Sequence, residues 1–588
     1  VEEAVKVLEP KVAPVAKLLD ADSRWVSLMY LGNEKSYADK FAEAGVKLDK
    51  AEVVKILGEE PEFAMAENRY SISHEVAGKA IVSARAKKTF SDKLDAVLLN
   101  RWAALPIFLV IMYLVFWIAV TIGSAFIDFF DVLFGAIFVD GLGYLLGDVL
   151  GCPSFVTAVL ADGIGAGIQT VSTFIPVIFF MFLCLSFLED SGYMARAAFV
   201  ADRFMRFLGL PGRAFVPMMV GFGCGVPAIM GTRVLESQRE RFLTIFLVPF
   251  MSCGARLPVY ALFGAAFFGE SAGTLVFGIY LTGIVIALIY GLLLRHTVFM
   301  GKESTFIMEL PPYHLPKVRN LFRHAWLRLK EFVFRAGKVV LIMVTVLGFM
   351  GSVGTDGSFG NDNNEKSVLS AVGTVITPVF EPFGVERDNW PASVALFTGL
   401  FAKEAIVGTL NSLYAIEGTD GATATEKAGE AGATPDADEG FSLKSTVKEA
   451  LVSVPANLVE VFTSIANPLG VKDAIDESES AGNEGAYKTM QAHFNLGRFQ
   501  VLAYLLFILL YVPCLAAMGT AFRELGRFYG TLMMVLQTVI GWSLSVLFFQ
   551  VTCGHSVAWI FTSVALLAGV VVALVVIGRD QRKKKVFE

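Results

Sequence analysis

From residue 105 to residue 577 the chain repeats one pattern: apolar runs of about 20 residues with few charges, each long enough to cross bilayer hydrocarbon. Backbone in that medium must satisfy its own hydrogen bonds, so such runs fold as helices. The composition agrees. Of 588 residues, 55% are hydrophobic and 18% charged, and the mean hydropathy is +0.60, which excludes an ordinary soluble chain of this length. The formal net charge is −6, and no basic groove with interleaved aromatics is present, so nucleic acid is not an expected partner. The six cysteines (Cys152, Cys184, Cys224, Cys253, Cys514, Cys553) form no CxxC pair and mostly sit in apolar sequence, which argues against a disulfide framework. The lipid bilayer is the first partner the sequence demands.

Residues 1–98 differ: they are charged, rich in Ala, Glu and Lys, and poor in Gly. The spacing of Val5, Leu8, Val12, Val15 and Leu19 is helical, with Pro10 and Pro14 expected to kink or delay the first helix. This reads as a small helical domain. Basic residues lie between it and the first span, and five more fill the tail between 579 and 585. By the positive-inside rule both termini are cytoplasmic and the number of crossings is even. The first residue is Val and no signal peptide precedes the helical domain, consistent with numbering that begins inside a longer polypeptide.

Crossings are predicted at 105–127, 168–188, 242–268, 273–294, 339–353, 501–518, 531–550 and 557–577, eight in all. Two apolar stretches remain, 214–231 and 393–413. The first is flanked by Arg203, Arg206 and Arg213 on one side and Arg233, Arg239 and Arg241 on the other, so it is expected to dip in from the cytoplasm and return. The second is bracketed by acidic loops and dips from the opposite face. Two re-entrant segments of opposite sense suggest an inverted repeat, with halves at 99–300 and 339–578. The alternative, in which both stretches cross and the total is ten, also keeps parity. A basic amphipathic arm (301–338) joins the halves on the cytoplasmic surface. Residues 418–440 are acidic, of low complexity, and expected to be disordered outside the membrane; residues 579–588 form a basic tail. The fold class is thus an all-α polytopic membrane protein of about eight transmembrane helices plus two re-entrant segments, preceded by a cytoplasmic helical domain.

Three cysteines lie where glycine and proline interrupt apolar sequence: Cys224 in 221–227, Cys253 in 248–258 and Cys514 in 511–519. Irregular backbone at membrane depth is tolerated where protein buries it or a wet cavity lies beside it, and broken helices near the midplane build transporter sites. Thiols there suit a transition metal. Met251 and Ser252 beside Cys253, and Met518 after Cys514, add candidate ligands. Spacing does not settle which metal, because a site for Fe2+ would also attract zinc or copper. Cys152, Cys184 and Cys553 read as small hydrophobes, and the six histidines make no ligand pair. Carboxylates at membrane depth cost about 3 kcal/mol each and so need a reason. Glu189 and Asp190 end the second span, either as an interfacial helix end with Arg196 as counter-charge or as metal ligands. Glu404 lies inside the second leftover stretch; either Lys403 neutralises it, or it helps a divalent cation shed water.

The stretches 187–199 (Phe-Leu-Glu-Asp-Ser-Gly-Tyr-Met-Ala-Arg-Ala-Ala-Phe), 221–233, 249–260, 308–316, 389–392, 402–405 and 511–519 closely resemble the ferrous iron transport protein B (FeoB) family, over nearly all of 80–579. The resemblance implies Fe2+ as transported substrate, import across the bacterial inner membrane, paired gate-type repeats, and Cys224, Cys253 and Cys514 as the pore cysteines. It places a guanine-nucleotide-dissociation-inhibitor-like domain at 1–98, by position and helicity. It also implies small FeoA-type and FeoC-type accessory proteins, and it is compatible with a homo-oligomer. One departure stands out. Nothing matches G-x-x-x-x-G-K-[ST] or Asn-Lys-x-Asp, so no GTPase activity, catalytic residue or cofactor is expected in this chain. GTP and Mg2+ would belong to a G domain that was removed, left out or carried on a separate polypeptide. Two rivals remain: a gate-type carrier of nucleosides or other organic solutes, which polar side chains at the breaks would favour, and a membrane-anchored signalling or scaffold protein, which would not need the breaks.

Overall fold

The computed structural model describes residues 2–32, 41, 50–57, 61–80, 89–100, 102–301, 310–356, 367–418, 446–447, 450–455, 457 and 484–583. The 418–440 loop, Gly418 apart, and the last residues of the basic tail therefore lie outside the described residues. Helix dominates those described, and extended pairing among them is limited to an isolated bridge between Gly354 and Ser367. The chain divides into two compact units, Val1–Lys93 and Leu94–Glu588.

In the first unit, α1 (Glu2–Leu18), α2 (Ser23–Leu31), α3 (Lys50–Leu57) and α4 (Pro61–Ala80) enclose a small apolar core. Ala4, Val5 and Leu8 of α1 meet Leu31, Val53 and Met65, while Val12 and Val15 meet Val26. The Asp22 side chain caps α2 by accepting from the Arg24 N–H at 3.1 Å. Contrary to the sequence expectation, α1 begins at Glu2 and runs through both Pro10 and Pro14. Both prolines lie on the exposed side of the helix, opposite the buried stripe. Carbonyls they leave unbonded can meet water, while burial of the apolar stripe holds the helix together.

Helix α5 (Phe90–Leu98) runs across the boundary at Lys93 and leads, in the second unit, into α6 (Ala104–Ser124) and α7 (Ile127–Gly135); short helical turns then lead to α8 (Ala166–Asp190). Next come α9 (Tyr193–Phe207), the pair α10 (Phe215–Gly223) and α11 (Gly225–Gly231), the pair α12 (Gln238–Leu247) and α13 (Leu257–Phe268), and α14 (Ala272–His296). The arm α15 (Val318–Phe332) passes into α16 (Lys338–Ser352). The series then repeats: α17 (Val368–Phe380), the pair α18 (Trp390–Phe401) and α19 (Ala405–Gly418), α20 (Glu484–His493), then α21 (Arg498–Leu510) and α22 (Leu515–Phe549). Helix α23 (Val557–Lys583) closes the chain. Gly526, at φ 78°, divides α22 into a short first leg and a full second leg. Six helical stretches among the described residues are long and apolar enough to cross a membrane. One of these, Arg498–Gly554, contains the non-helical Gly526, and α16 is a shorter apolar helix of 15 residues.

The two leftover stretches are hairpins. In the first, a Cβ placed on Gly231 would stand 3.8 Å from the Pro217 Cγ, so the end of α11 returns beside the start of α10. In the second, the Thr398 and Thr409 hydroxyls meet at 3.1 Å, and the Tyr414 hydroxyl donates to Asn389 Oδ1 at 2.6 Å across its open end. A continuous helix would hold Thr398 and Thr409 about 16 Å apart. Hairpin α10–α11 opens on the face that carries the arm, where Arg233 reaches both Glu331 and Glu524. Hairpin α18–α19 opens on the opposite face, where Gln500 donates to the Gly384 carbonyl at 2.5 Å and Arg498 to the Phe267 carbonyl at 3.1 Å. The broken pairs also run in opposite senses: α12–α13 leads away from the arm face, and α21 with the first leg of α22 leads toward it. This is an inverted repeat built from a crossing, a connecting helix, a hairpin, a broken crossing and a crossing.

Candidate functional site

Four interruptions lie at the centre of the repeat. Cys224 is fully extended (φ −153°, ψ 134°) and serves at once as the C-terminal cap of α10 and the N-terminal cap of α11. Met251 (φ −71°, ψ 119°) and Cys253 (φ −78°, ψ 161°) are extended between α12 and α13. Ala402 (φ −141°, ψ 127°) separates α18 from α19. Tyr511 (ψ 172°) and Cys514 (φ −55°, ψ 152°) separate α21 from α22. Pro249, Pro258 and Pro513 withhold N–H donors around two of these breaks, and the glycines flanking Cys224 allow the first.

The four breaks converge. A Cβ on Gly254 would stand 3.9 Å from the Gly223 carbonyl, one on Gly225 would meet the Ala517 Cβ at 3.5 Å, and one on Gly221 would meet the Met251 Cβ at 3.1 Å. From the third break, Lys403 reaches the fourth: its Nζ donates to the Val512 carbonyl at 3.0 Å and lies 3.1 Å from the centre of the Tyr511 ring. From the second break, Arg256 donates through Nη1 to the carbonyls of Leu509 at 2.9 Å and Pro249 at 3.3 Å. Both cations are fully buried and sit at the carboxyl end of α21, where unbonded carbonyls and the helix dipole favour positive charge. Arg256 thereby ties the first half to the second, while Lys403 ties the third break to the fourth within the second half.

Cys224, Cys253 and Cys514 are partly buried, and each lies at one of the converging breaks. The Glu404 side chain, next to the third break, is exposed. Lys403 bonds to the Val512 carbonyl and makes no ion pair with its neighbour Glu404, so the carboxylate remains available. Ser252 is buried and its hydroxyl donates to the Tyr260 hydroxyl at 3.0 Å. Met251 and Met518 are buried against the breaks, Met518 one turn beyond Cys514. Among the described residues no three His, Cys, Asp or Glu side chains are gathered tightly enough to hold a metal.

Glu189 and Asp190 are not part of this convergence. They end α8 at the arm face, and Glu189 pairs with Arg328 of the arm at 2.7 Å. Arg196, the expected counter-charge, is engaged elsewhere. Its Nε and Nη2 bond both oxygens of Asp95 at 3.1 Å, its Nη1 donates to the carbonyls of Gly192 (3.0 Å) and Pro311, and its guanidinium lies 4.1 Å from the centre of the Tyr313 ring. Tyr313 donates to Asp95 Oδ1 at 2.9 Å. The Arg196 hydrogen bonds hold the Asp95 carboxyl below the usual carboxylate range, aided by Tyr313, while burial and the adjoining carboxylate push the Tyr313 hydroxyl up to about 12. This clasp joins α5, the start of α9 and the 311–313 segment.

Sequence reasoning did not single out Arg256, Tyr511 or Glu524. Glu524 is buried in the first leg of α22 and pairs with Arg233 (2.5 Å) and Arg241, locking the arm-face end of the broken crossing to hairpin α10–α11 and to α12. A charged residue inside an apolar run was the available signal for each of the two ions.

Comparison with known proteins fits this architecture. The family model described as "Nucleoside recognition" (Gate) matches residues 171–267 and 333–528, the two inverted halves. "Ferrous iron transport protein B C terminus" matches 276–328, and "FeoB cytosolic helical domain" matches 1–82. The chain is 43% identical to Fe(2+) transporter FeoB of Legionella pneumophila (strain Lens), over 88% of this chain and 65% of that protein. It is 44% identical to the protein of the same name from strain Paris, over 83% of this chain and 62% of that one. Against that of Salmonella typhi it is 40% identical over 99% of this chain and 74% of the relative. It thus spans less than two thirds of the length of the Legionella relatives. No solved structure matches. With the repeat, the helical domain and nearly the whole chain aligned to these relatives, the chain belongs to the FeoB family.

Proposed function

We propose that this chain forms the membrane pathway of a ferrous-iron importer of the bacterial cytoplasmic membrane, with the arm face and both termini cytoplasmic. The observation that carries the reading is the convergence of three partly accessible thiols and one exposed, unpaired carboxylate on four helix breaks. Fe2+ arriving hydrated would exchange water for the hard Glu404 oxygen and then meet the softer sulfurs of Cys224, Cys253 and Cys514. Met251, Ser252 and Met518 lie beside the thiols as further candidate donors. Thiols release protons as they take a metal, so the cysteine-bearing breaks can bind a dication while changing their net charge little. The buried charges of Lys403 and Arg256, tied to carbonyls, offset the negative charge that thiolates and Glu404 bring. Glu189 and Asp190 fit a structural role at the arm face. The soft donors favour a metal over the nucleosides that the Gate description names.

In the whole protein, a G domain binding GTP and Mg2+ would set the state of the pathway through the helical domain, and small FeoA-type and FeoC-type proteins would be accessory partners. A homo-oligomer fits the same reading. The test is uptake of radiolabelled Fe2+ under reducing conditions in cells lacking their own importer, using the full-length protein that carries this chain. Glu404→Gln and each of Cys224→Ser, Cys253→Ser and Cys514→Ser should lower uptake about tenfold or more at equal protein level, since even outer-shell changes at metal sites cost about that much. Uptake unchanged in all four variants would refute the thiol and carboxylate path. No uptake by the unaltered protein would refute iron transport itself.

A further inference from the structure

The arm α15 carries three distinct stripes along its length. Leu321, Ala325 and Leu329, spaced by four, are buried against the protein, with Phe332 beside them. Next to them, Val318 (66% exposed), Phe322 (49%) and Trp326 (61%) form a second apolar stripe that protein does not cover, apart from the Phe322 ring, which lies 5.9 Å from that of Phe179. Beyond that stripe run Arg319, Arg323 and Lys330, all exposed and making no hydrogen bond or ion pair with any described residue. The charges on the other flank behave differently: Arg328 pairs with Glu189 at 2.7 Å, and Glu331 approaches Arg233 at 3.9 Å. The charges on the protein-facing flank are therefore matched, and the three cations beside the uncovered apolar stripe make no such pair with a described residue.

The location of the arm says what covers that stripe. α15 passes through Val333–Gly337 directly into the membrane helix α16, and its buried stripe lies along the crossing α8. Its end thus coincides with the boundary where hydrocarbon begins. A helix at that depth puts an apolar row among acyl chains and the adjacent cationic row at the phosphates, with the aromatic rings near the headgroup level. We propose that α15 is a binding surface for anionic phospholipid, with Val318, Phe322 and Trp326 seated in the outer acyl region and Arg319, Arg323 and Lys330 on the headgroup phosphates. This does not depend on which ion the pathway carries. It has a direct route inward, since the Glu331–Arg233–Glu524 chain connects the arm to the first leg of α22, which begins just after Cys514.

The experiment uses the purified chain in nanodiscs of phosphatidylcholine with and without phosphatidylglycerol. Affinity for phosphatidylglycerol is measured by titration into delipidated protein, for the unaltered chain and for Arg319→Gln/Arg323→Gln/Lys330→Gln. Each surface cation contributes about fivefold to binding at an anionic bilayer, so the triple variant should bind about a hundredfold more weakly. Phosphatidylcholine and free glycerol phosphate should not compete. In parallel, the emission difference between the unaltered chain and Trp326→Phe should be quenched by lipids brominated on the acyl chain and spared by aqueous iodide. Affinity in the triple variant within about twofold of the unaltered chain would overturn the proposal. So would competition by free glycerol phosphate, which would mark a site for soluble anions. A Trp326 emission quenched by iodide and untouched by bromolipid would overturn it as well, and would mark the stripe as a surface for a soluble protein.

Discussion

Replacing Asp95 by Asn isolates one charge-assisted contact whose worth can be worked out from its surroundings. Arg196 is 2% exposed and Asp95 20% exposed, and two bonds of 3.1 Å join them. Breaking a fully buried ion pair costs about 3–5 kcal/mol, because the remaining charge is left desolvated. Two features lower that figure here. Asp95 is partly wet, and Arg196 keeps the Gly192 and Pro311 carbonyls and the Tyr313 ring when the carboxylate is gone. The expected loss is about 2 kcal/mol, within the range for hydrogen bonds to charged groups. Reversible unfolding in mixed micelles would measure it, in a double-mutant cycle with Arg196→Gln. The coupling should be about 2 kcal/mol, and a value below about 0.5 would refute the idea that the clasp is a cohesive unit. The pH dependence has a definite sign. Asp95 titrates lower in the folded chain than in the unfolded one, so its contribution is complete above about pH 4 and disappears as pH falls through the lowered value. Asp95→Asn should remove that acid-side loss. Tyr313, pushed up to about 12, stays protonated throughout and keeps donating.

Two further outcomes follow from packing and buried charge. A Cβ on Gly399 would come within 2.5 Å of Ile406 and 2.7 Å of the Tyr511 hydroxyl, whereas one on Gly408 meets nothing within 4 Å. Gly399→Ala should therefore destabilise by about 1–3 kcal/mol in the same unfolding assay. Gly408→Ala should be neutral or stabilising by up to about 1 kcal/mol, because it relieves a glycine in a helix; equal effects would refute the close approach of hairpin α18–α19 to the fourth break. Glu524→Gln should cost about 2 kcal/mol by removing the shared partner of Arg233 and Arg241, and should leave stability less sensitive to salt than any exposed pair would. An unchanged unfolding midpoint would show that the two arginines find water instead.

The features legible from sequence were those that local chemistry dictates. Glycine and proline around Cys224, Cys253 and Cys514 forecast three of the breaks, and the arginines flanking 214–231 forecast a segment that returns to its starting face. The break at Ala402 has no proline beside it and is expected only from the leftover apolar stretch 393–413; there Lys403 turns to the Val512 carbonyl. Partners of buried ions were the least legible. Arg196 has Glu189 close by in sequence, yet it bonds to Asp95, 101 positions away. Arg233 reaches Glu524 across 291 positions. Such pairings are set by how the two halves dock, which no local pattern encodes. Pro10 and Pro14 show the same limit in a soluble helix: their intrinsic preference is outweighed by the burial of Val5, Leu8, Val12 and Val15 on the other side.

The bond from Arg256 to the Leu509 carbonyl spans 253 positions, and it has a consequence for how the protein is made. At about 5–20 residues per second, a ribosome needs roughly 13–50 s to deliver the second half after the first. During that interval the guanidinium already lies in a membrane segment, with the Pro249 carbonyl as its nearby acceptor. A half-built protein must therefore shelter an arginine whose main partner does not yet exist, in water at the insertion machinery or in a thinned patch of bilayer. Biogenesis, more than the finished fold, is where this residue is most exposed to failure. Substitutions that weaken the docking of α21 should show first as chains degraded before completion of assembly.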